Sequence, residues 1–329
     1  MADVIEVHEL RKSFPGVEAV RGLDLRVAAG ELFGLLGPNG AGKTTTLRML
    51  TTLLPIDAGR AVVAGADVAR DPRAVRRRIG YVGQVGGADL PATGRENLLL
   101  QARLYGASRA DAARRAEELV EALALGAFAN RPASTYSGGQ RRRLEIALGL
   151  THRPTVLFLD EPTTGLDPQN RANLWEQLRA LRAGGTTIVL TTHYLEEADA
   201  LADRLAIVDT GRVVAEGSPR ELKTQIAGDT VTLRPRGDAE PVRALLAPQP
   251  FVREARLHGD ALRLTVPDGT DALPRLLDVL TGAGVELASL ALVEPTLDDV
   301  FLRVTGRALR DAEAAGASAD GAARAGVAA

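Results

Sequence analysis

Cysteine is absent from the 329-residue sequence. That excludes structural disulfides and thiolate metal sites, and it suits a reducing compartment. Aromatic residues make up only 3%, with a single tryptophan, and no apolar stretch nears the ~20 residues that a membrane-spanning helix requires. The opening Met1-Ala2-Asp3-Val4-Ile5-Glu6-Val7 carries acids and lacks an apolar core of signal length, so no secretory signal is expected. A large excess of either charge is missing too. With a formal net charge of −2, the chain has no general affinity for nucleic acid or anionic lipid, and any membrane association is expected to come through a partner. Lysine is nearly absent, limited to Lys12, Lys43 and Lys223. What is present is ordinary for a globular protein: 45% hydrophobic and 25% charged residues, in a chain long enough for one large domain and a smaller one.

One of the three lysines falls in Gly37-Pro38-Asn39-Gly40-Ala41-Gly42-Lys43-Thr44, which fits G-x-x-x-x-G-K-[ST] at every fixed position. The preceding Glu31–Leu36 is a short, mostly apolar run that reads as a buried strand. Thr45-Thr46-Leu47-Arg48-Met49-Leu50 continues into a helix, with Leu47 and Leu50 on one face. Glycines at this strand–turn–helix junction let backbone N–H groups close around a phosphate, and the helix start adds its positive dipole end. Lys43 can then reach the terminal phosphates, and Thr44 offers a hydroxyl to magnesium.

Three further stretches end where chemistry is expected. Thr155–Asp160 is an apolar run closing on an acid, the profile of a strand buried on both faces, and Glu161 follows at once. Acids at the carboxyl end of a central parallel strand point into the ligand crevice, so Asp160 is placed to hold magnesium and Glu161 to polarise an attacking water. Thr186–His193 is a second β-branched and apolar strand, ending in a histidine. A lone histidine is usually structural, but one at a strand end beside a lysine and two acids is more often functional. Ser137-Gly138-Gly139-Gln140 forms a second anion-ready helix start, with no lysine to complete a second phosphate loop. The Arg141-Arg142-Arg143 run after it fans around the helix, and most of it reads as a solvated face rather than a nucleic-acid patch.

Other positions stay open on the residues alone. Phe14, on a Pro/Gly turn, suits stacking on a nucleotide base or packing of its own loop. Gln84 closes the strand Ile79–Gln84, and taken by itself it reads as a turn residue. Helices are expected over Arg95–Tyr105 and Ser108–Leu125, with Gly106 and Gly126 as stops. Residues 229 to 306 alternate strand (Thr230–Leu233), helix (Ala239–Leu246), strands (Phe251–Leu257 and Ala261–Val266), helix (Asp271–Ala283) and strand (Val285–Val293). Thr296 reads as an N-cap with acids in the first turn after it. Alanine and glycine dominate from Asp311 on, so residues 307–329 are expected to be disordered.

Taken together, about residues 3 to 225 resemble the nucleotide-binding subunit of ATP-binding-cassette transporters. Gly37–Thr45 matches the first phosphate motif, Gln84 the glutamine loop, Ser137-Gly138-Gly139-Gln140 the signature, and Val156–Glu161 the second phosphate motif. Gly165-Leu166-Asp167 matches the loop that follows it, and His193 the switch histidine. Two departures are mild: Tyr136 stands where leucine is common, and Phe14 where tyrosine is common in the base-stacking position. Thr93-Gly94-Arg95-Glu96-Asn97 and Glu294-Pro295-Thr296-Leu297-Asp298-Asp299-Val300-Phe301-Leu302 look like the daunorubicin-resistance type of drug-export ATPase.

The resemblance implies an α/β P-loop cassette over residues 1–225, with a RecA-like core, a β-subdomain and a helical signature lobe at about 93–150. A small C-terminal α+β domain at 229–306 follows. It implies ATP and Mg²⁺, and a homodimer or heterodimer in which each ATP lies between one subunit's phosphate loop and the other's signature. Phe14, the loop from Gly37 to Thr45, Ser137, Gly138, Gly139, Gln140 and Asp167 are then the ATP-contacting set, and Thr44, Gln84 and Asp160 the metal set. Lys43, Gln84, Glu161 and His193 serve the chemistry. The expected setting is the cytoplasmic face of the membrane, beneath a polytopic permease, in antibiotic efflux, with no nucleic-acid partner. The alternatives are an importer subunit or a soluble cassette ATPase acting on ribosomes or DNA. Against the latter stand the single cassette and the lack of a long heptad insertion between the phosphate motifs.

Overall fold

A computed structural model describes residues 2–224, 228–293, 295–307 and 309. The chain divides into two compact units, one running to Glu216 and the other beginning at Gly217.

In the first unit, β1 (Asp3–Phe14) and β2 (Val17–Ala28) form a hairpin, followed by β3 (Leu32–Leu36) and α1 (Lys43–Leu50). Next come β4 (Ala58–Val63), β5 (Ala66–Asp67), α2 (Pro72–Arg78) and β6 (Ile79–Val82). A helical stretch comprises α3 (Gly94–Leu104), α4 (Arg109–Ala122) and α5 (Gly138–Leu150). The unit closes with β7 (Val156–Asp160), α6 (Pro168–Ala183), β8 (Thr187–Thr192), α7 (Leu195–Leu201), β9 (Arg204–Asp209) and β10 (Arg212–Gly217).

These strands make two sheets. One is antiparallel, in the order β2-β1-β4-β5. The other has six strands in the order β10-β9-β3-β8-β7-β6, parallel from β9 to β6. Every residue of β3, β7 and β8 is buried. Their lack of apolar–polar alternation follows, because a parallel strand covered on both faces has no solvent side to alternate with. β1 and β2 alternate instead, with Ile5, Val7, Leu23, Leu25 and Val27 inward. β8 lies between β3 and β7, and its register pairs Thr192 with Leu36 on one side and Thr191 with Asp160 on the other. The carboxyl ends of three strands distant in sequence therefore lie side by side.

The second unit contains α8 (Pro219–Leu222), β11 (Asp229–Pro235), α9 (Ala239–Leu246), β12 (Glu254–His258), β13 (Ala261–Val266), α10 (Gly269–Gly282), β14 (Leu287–Val293) and α11 (Leu297–Thr305). Its sheet order is β12-β13-β11-β14, antiparallel throughout. With β-α-β-β-α-β connectivity, this is the ferredoxin-like arrangement. Val231, Leu233, Leu262 and Leu264 meet Val242, Leu246, Leu276 and Leu280 in its core. The strand expected from Phe251 begins at Glu254 instead. Val252 closes a turn onto Gln249, and Phe251 packs against the core from that turn rather than entering the ladder.

Most of the remaining differences are at element ends, where caps decide. Thr93 caps α3 through a capping box with Glu96, so the helix starts at Gly94. The two compact units divide between Glu216 and Gly217, so α8 falls in the second. Residues 308 and 310–329, most of the tail expected to be disordered, lie outside the described residues.

Candidate functional site at the strand ends

The loop from Gly37 to Gly42 turns from β3 into α1 in a space that side chains would fill. A Cβ on Gly37 would collide with the Val208 carbonyl oxygen, and one on Gly42, where φ is +102°, would lie 2.5 Å from that of Ala19. Gly42 occupies the N-cap of α1 without a side-chain cap. The amides of the first turn, with Thr44 and half-buried Thr45, thus lack the oxygen that usually satisfies them, which is what an anion can supply. Asn39 and Gly40 form an exposed tip, and Ala41 donates its amide to the Pro38 carbonyl at 3.2 Å. Lys43 is buried, donating from Nζ to the carbonyls of Gly37 at 2.7 Å and Pro38 at 3.0 Å.

From the end of β7, Asp160 points at this loop and is fully buried. Its Oδ1 accepts from Thr44 Oγ1 at 2.9 Å and Thr191 Oγ1 at 2.7 Å, while Oδ2 is buried without a hydrogen-bond partner. A buried carboxylate oxygen left over beside a threonine hydroxyl is a fitting donor set for a hard divalent cation.

Glu161 adopts a left-handed backbone with φ of 47°, fixed by its amide donating to Thr191 Oγ1 at 3.0 Å and the Thr191 carbonyl at 3.2 Å. That twist delivers its Oε1 to 3.4 Å from His193 Nδ1 and 3.7 Å from Lys43 Nζ. Burial pushes the Glu161 carboxyl up, but His193, Lys43 and Thr164 outweigh it and hold the pKa below the ordinary glutamate value. The group stays ionised, as an acceptor of a water proton must.

The other residues surround this cluster. Gln84 is exposed and lines, with Glu161, Gly138, Arg142, Glu145 and Leu166, a cavity of about 220 Å³. Ser137 caps α5 in a capping box with Gln140, its Oγ accepting from the Gln140 amide at 3.3 Å. Gly139 packs so closely on Asn170 that a Cβ would sit 2.5 Å from Asn170 Oδ1. Asn170 in turn donates to both oxygens of Asp167, the N-cap of α6. Phe14 is 41% exposed, so much of its ring is open to solvent. Lys12 Nζ lies 5.7 Å from that ring's centre and is anchored on Asp57 at 2.6 Å.

One important residue escaped the sequence reading. Arg142, within the run read mostly as a solvated face, is buried and donates to the carbonyls of Gly83 at 2.7 Å, Pro162 at 2.9 Å and Asp160 at 3.0 Å. It also pairs with buried Glu145 at 3.2 Å. It ties the signature helix to the strand ends carrying Gln84 and Glu161. The only available signal was its position, three residues before Glu145 on a helix face that also holds Ile146. Removing it strands three carbonyls and a buried carboxylate. Arg142→Ala is expected to cost about 3–5 kcal/mol of stability, read as a fall in the thermal unfolding midpoint.

A family model described as "ABC transporter" matches residues 20–164. A second, described as "ATP-binding protein DrrA1-3-like, C-terminal domain", matches residues 217–305. Over 96% of its length the chain is 49% identical to the daunorubicin resistance ATP-binding protein DrrA3 of Streptomyces coeruleorubidus, covering 100% of that protein. It is 42% identical, over 93% of its length, to 98% of the Nod factor export ATP-binding protein I of Paraburkholderia xenovorans. Among solved structures, CbiO1 of Clostridium perfringens, part of the ABC transporter complex CbiONQ, superposes with a TM-score of 0.62 at 26% identity. That match covers 68% of this chain and 91% of CbiO1. The chain belongs to the ATP-binding subunits of ABC transporters, in the branch that carries the DrrA-like C-terminal domain. It is an ATPase whose hydrolysis is coupled to transport. No helix among the described residues is long and apolar enough to cross a membrane, and subunits of this kind work with a membrane permease and as dimers.

Proposed function

We propose that this chain powers bacterial efflux of a drug, antibiotic or other hydrophobic compound, from the cytoplasmic face of the membrane through a separately encoded permease. The export direction is supported by the names of its relatives, which concern daunorubicin resistance and Nod factor export. Nothing supports the ribosomal, DNA or importer alternatives. The observation that carries the catalytic reading is the meeting of Lys43 and His193 on one oxygen of Glu161 at the ends of β3, β8 and β7.

The amides of residues 37–45 and Lys43 would bind the β- and γ-phosphates of ATP, with Phe14 stacked on the base. Thr44, Asp160 and Gln84 would hold Mg²⁺, which would neutralise the charge that builds up on the phosphates during transfer. Ionised Glu161 orients the attacking water and accepts its proton, while His193 positions the phosphate and Glu161 together. Ser137, Gly138, Gly139, Gln140 and Asp167 would close over the nucleotide of the partner subunit, homologous or identical. ATP binding then draws the dimer shut and hydrolysis releases it. The domain limits that go with this reading are a cassette over 1–225, an accessory domain over 229–306 and a tail from 307.

The permease would seat beside Gln84. Val85 is 91% exposed, and Tyr105, Glu145 and His152 line an adjoining groove of about 260 Å³ flanked by exposed Leu100 and Leu104. Solubilising native membranes and pulling down the tagged chain tests the whole reading. A polytopic permease should co-purify; ribosomal RNA or DNA ends in its place would sink it. For the metal set, Thr44→Ala is expected to raise the Mg²⁺ concentration for half-maximal ATPase by about 10-fold or more. Thr44→Ser, which keeps the hydroxyl, should restore the wild-type value.

A further inference from the structure

The turn that carries Glu161 and Asp167 and the turn that carries His193 belong to different strands, so something must keep their spacing. Two clamps between α6 and α7 do so. The outer one is partly buried: the Arg171 guanidinium lies 4.7 Å over the Tyr194 ring, and its Nη1 is 3.9 Å from exposed Glu196. The inner one is buried and centres on Glu197, which has no solvent exposure and no part in the chemistry described above. Its Oε1 accepts from the indole of Trp175, on α6, at 3.4 Å. The hydroxyls of Thr163 and Thr192 also face its carboxyl. Thr163 follows Glu161 by two residues, and its carbonyl accepts from the Leu166 amide at the head of the Asp167 turn. Thr192 immediately precedes His193 and accepts the Tyr194 amide at 2.9 Å.

We propose that Glu197 is a positioning residue that locks the His193 turn to the Glu161–Asp167 turn, so that the two move as one piece. An acid in such a place needs a reason, because its burial is costly without a close cation. Burial does push its carboxyl up, against weaker opposing pulls from the Thr192 and Thr163 hydroxyls, the Trp175 indole and the Arg171 charge. Leucine or methionine would fill the volume at less cost. What neither supplies is a planar group able to meet the indole N–H and two hydroxyls on three segments at once. Glu197 Oε2 and Thr163 Oγ1 are both buried without a completed hydrogen bond. On the shared-site reading above, Asp167 faces the other subunit's nucleotide, so the same lock links the His193 turn of one site to its neighbour.

The chain's single tryptophan makes this testable, since Trp175 emission reports directly on the clamp. Glu197→Gln keeps the planar acceptor, while Glu197→Leu keeps only volume. In full-length protein assayed with MgATP well below the unfolding midpoint, Glu197→Leu is expected to lower kcat at least about tenfold with KM for ATP unchanged. Its Trp175 emission should shift relative to wild type. Glu197→Gln should retain both the emission maximum and most of kcat. A wild-type kcat in Glu197→Leu, with only a lower melting midpoint, would overturn the proposal and leave Glu197 a packing residue. Glu161→Gln run in parallel separates the two readings: if it too is fully active, the site assignment has failed rather than the clamp.

Discussion

Glu161→Gln is expected to stop turnover without stopping binding. The substitution keeps the shape that the Thr191 contacts require and removes only the negative charge. An amide cannot take the proton of the attacking water, and loss of a general base costs about 10²–10⁴ in rate. Lys43 and the loop amides are untouched, so ATP should still bind and draw two subunits together. Steady-state phosphate release and size-exclusion chromatography with MgATP give the two readouts. Hydrolysis should fall at least about 100-fold, and an ATP-dependent dimer should accumulate. Unchanged turnover would remove Glu161 from its role. A sharp loss of ATP affinity would mean that its contact with Lys43 shapes the loop rather than the chemistry.

Ser137→Arg is expected to abolish hydrolysis while leaving nucleotide binding to the isolated subunit nearly intact. Within one chain, Ser137 hydrogen-bonds to Gln140 and caps α5, so its loss costs about 1 kcal/mol of stability. Across a dimer the consequence is larger. A long cation would occupy the place where the partner's γ-phosphate must sit, and loss of one such donor alone costs about 10²–10³ in kcat. Equilibrium binding of a fluorescent nucleotide at concentrations too low for dimers, paired with ATPase at high concentration, separates the effects. Ser137→Ala, which loses the cap but adds no obstruction, is the control. If nucleotide binding to the monomer fails in Ser137→Arg but not in Ser137→Ala, the composite site is wrong.

Much of this site could be read before the fold was known because its residues sit where a buried strand ends. β3, β7 and β8 are buried along their whole length, so the charged or glycine-rich residues at their carboxyl ends are conspicuous: the Gly37 loop, Asp160 with Glu161, and His193. The adjacency of the three strands was not legible, since register is set by pairing across the sheet and not by local pattern. Arg142 was hidden for a different reason. Three successive arginines point to three sides of a helix, and composition does not say which one turns inward. Glu197 gave still less signal. A second acid in Glu196-Glu197 reads as first-turn helix chemistry, and only packing reveals that one is exposed and the other sealed against Trp175. In the second unit the helix over Ala239–Leu246 and the strand over Ala261–Val266 emerge where their patterns put them. The start of β12 does not, because the apolar pair Phe251-Val252 serves a turn.

The left-handed backbone of Glu161 has a consequence for how such a subunit ages under selection. A side chain in that conformation costs about 1–2 kcal/mol that glycine would not pay. Drift toward a sturdier chain therefore pulls against the acid at every generation, and only the demand for turnover holds it there. A lineage relieved of that demand, for instance one site of an asymmetric pair whose other site does the work, should shed this carboxylate before it sheds the loop that grips the nucleotide.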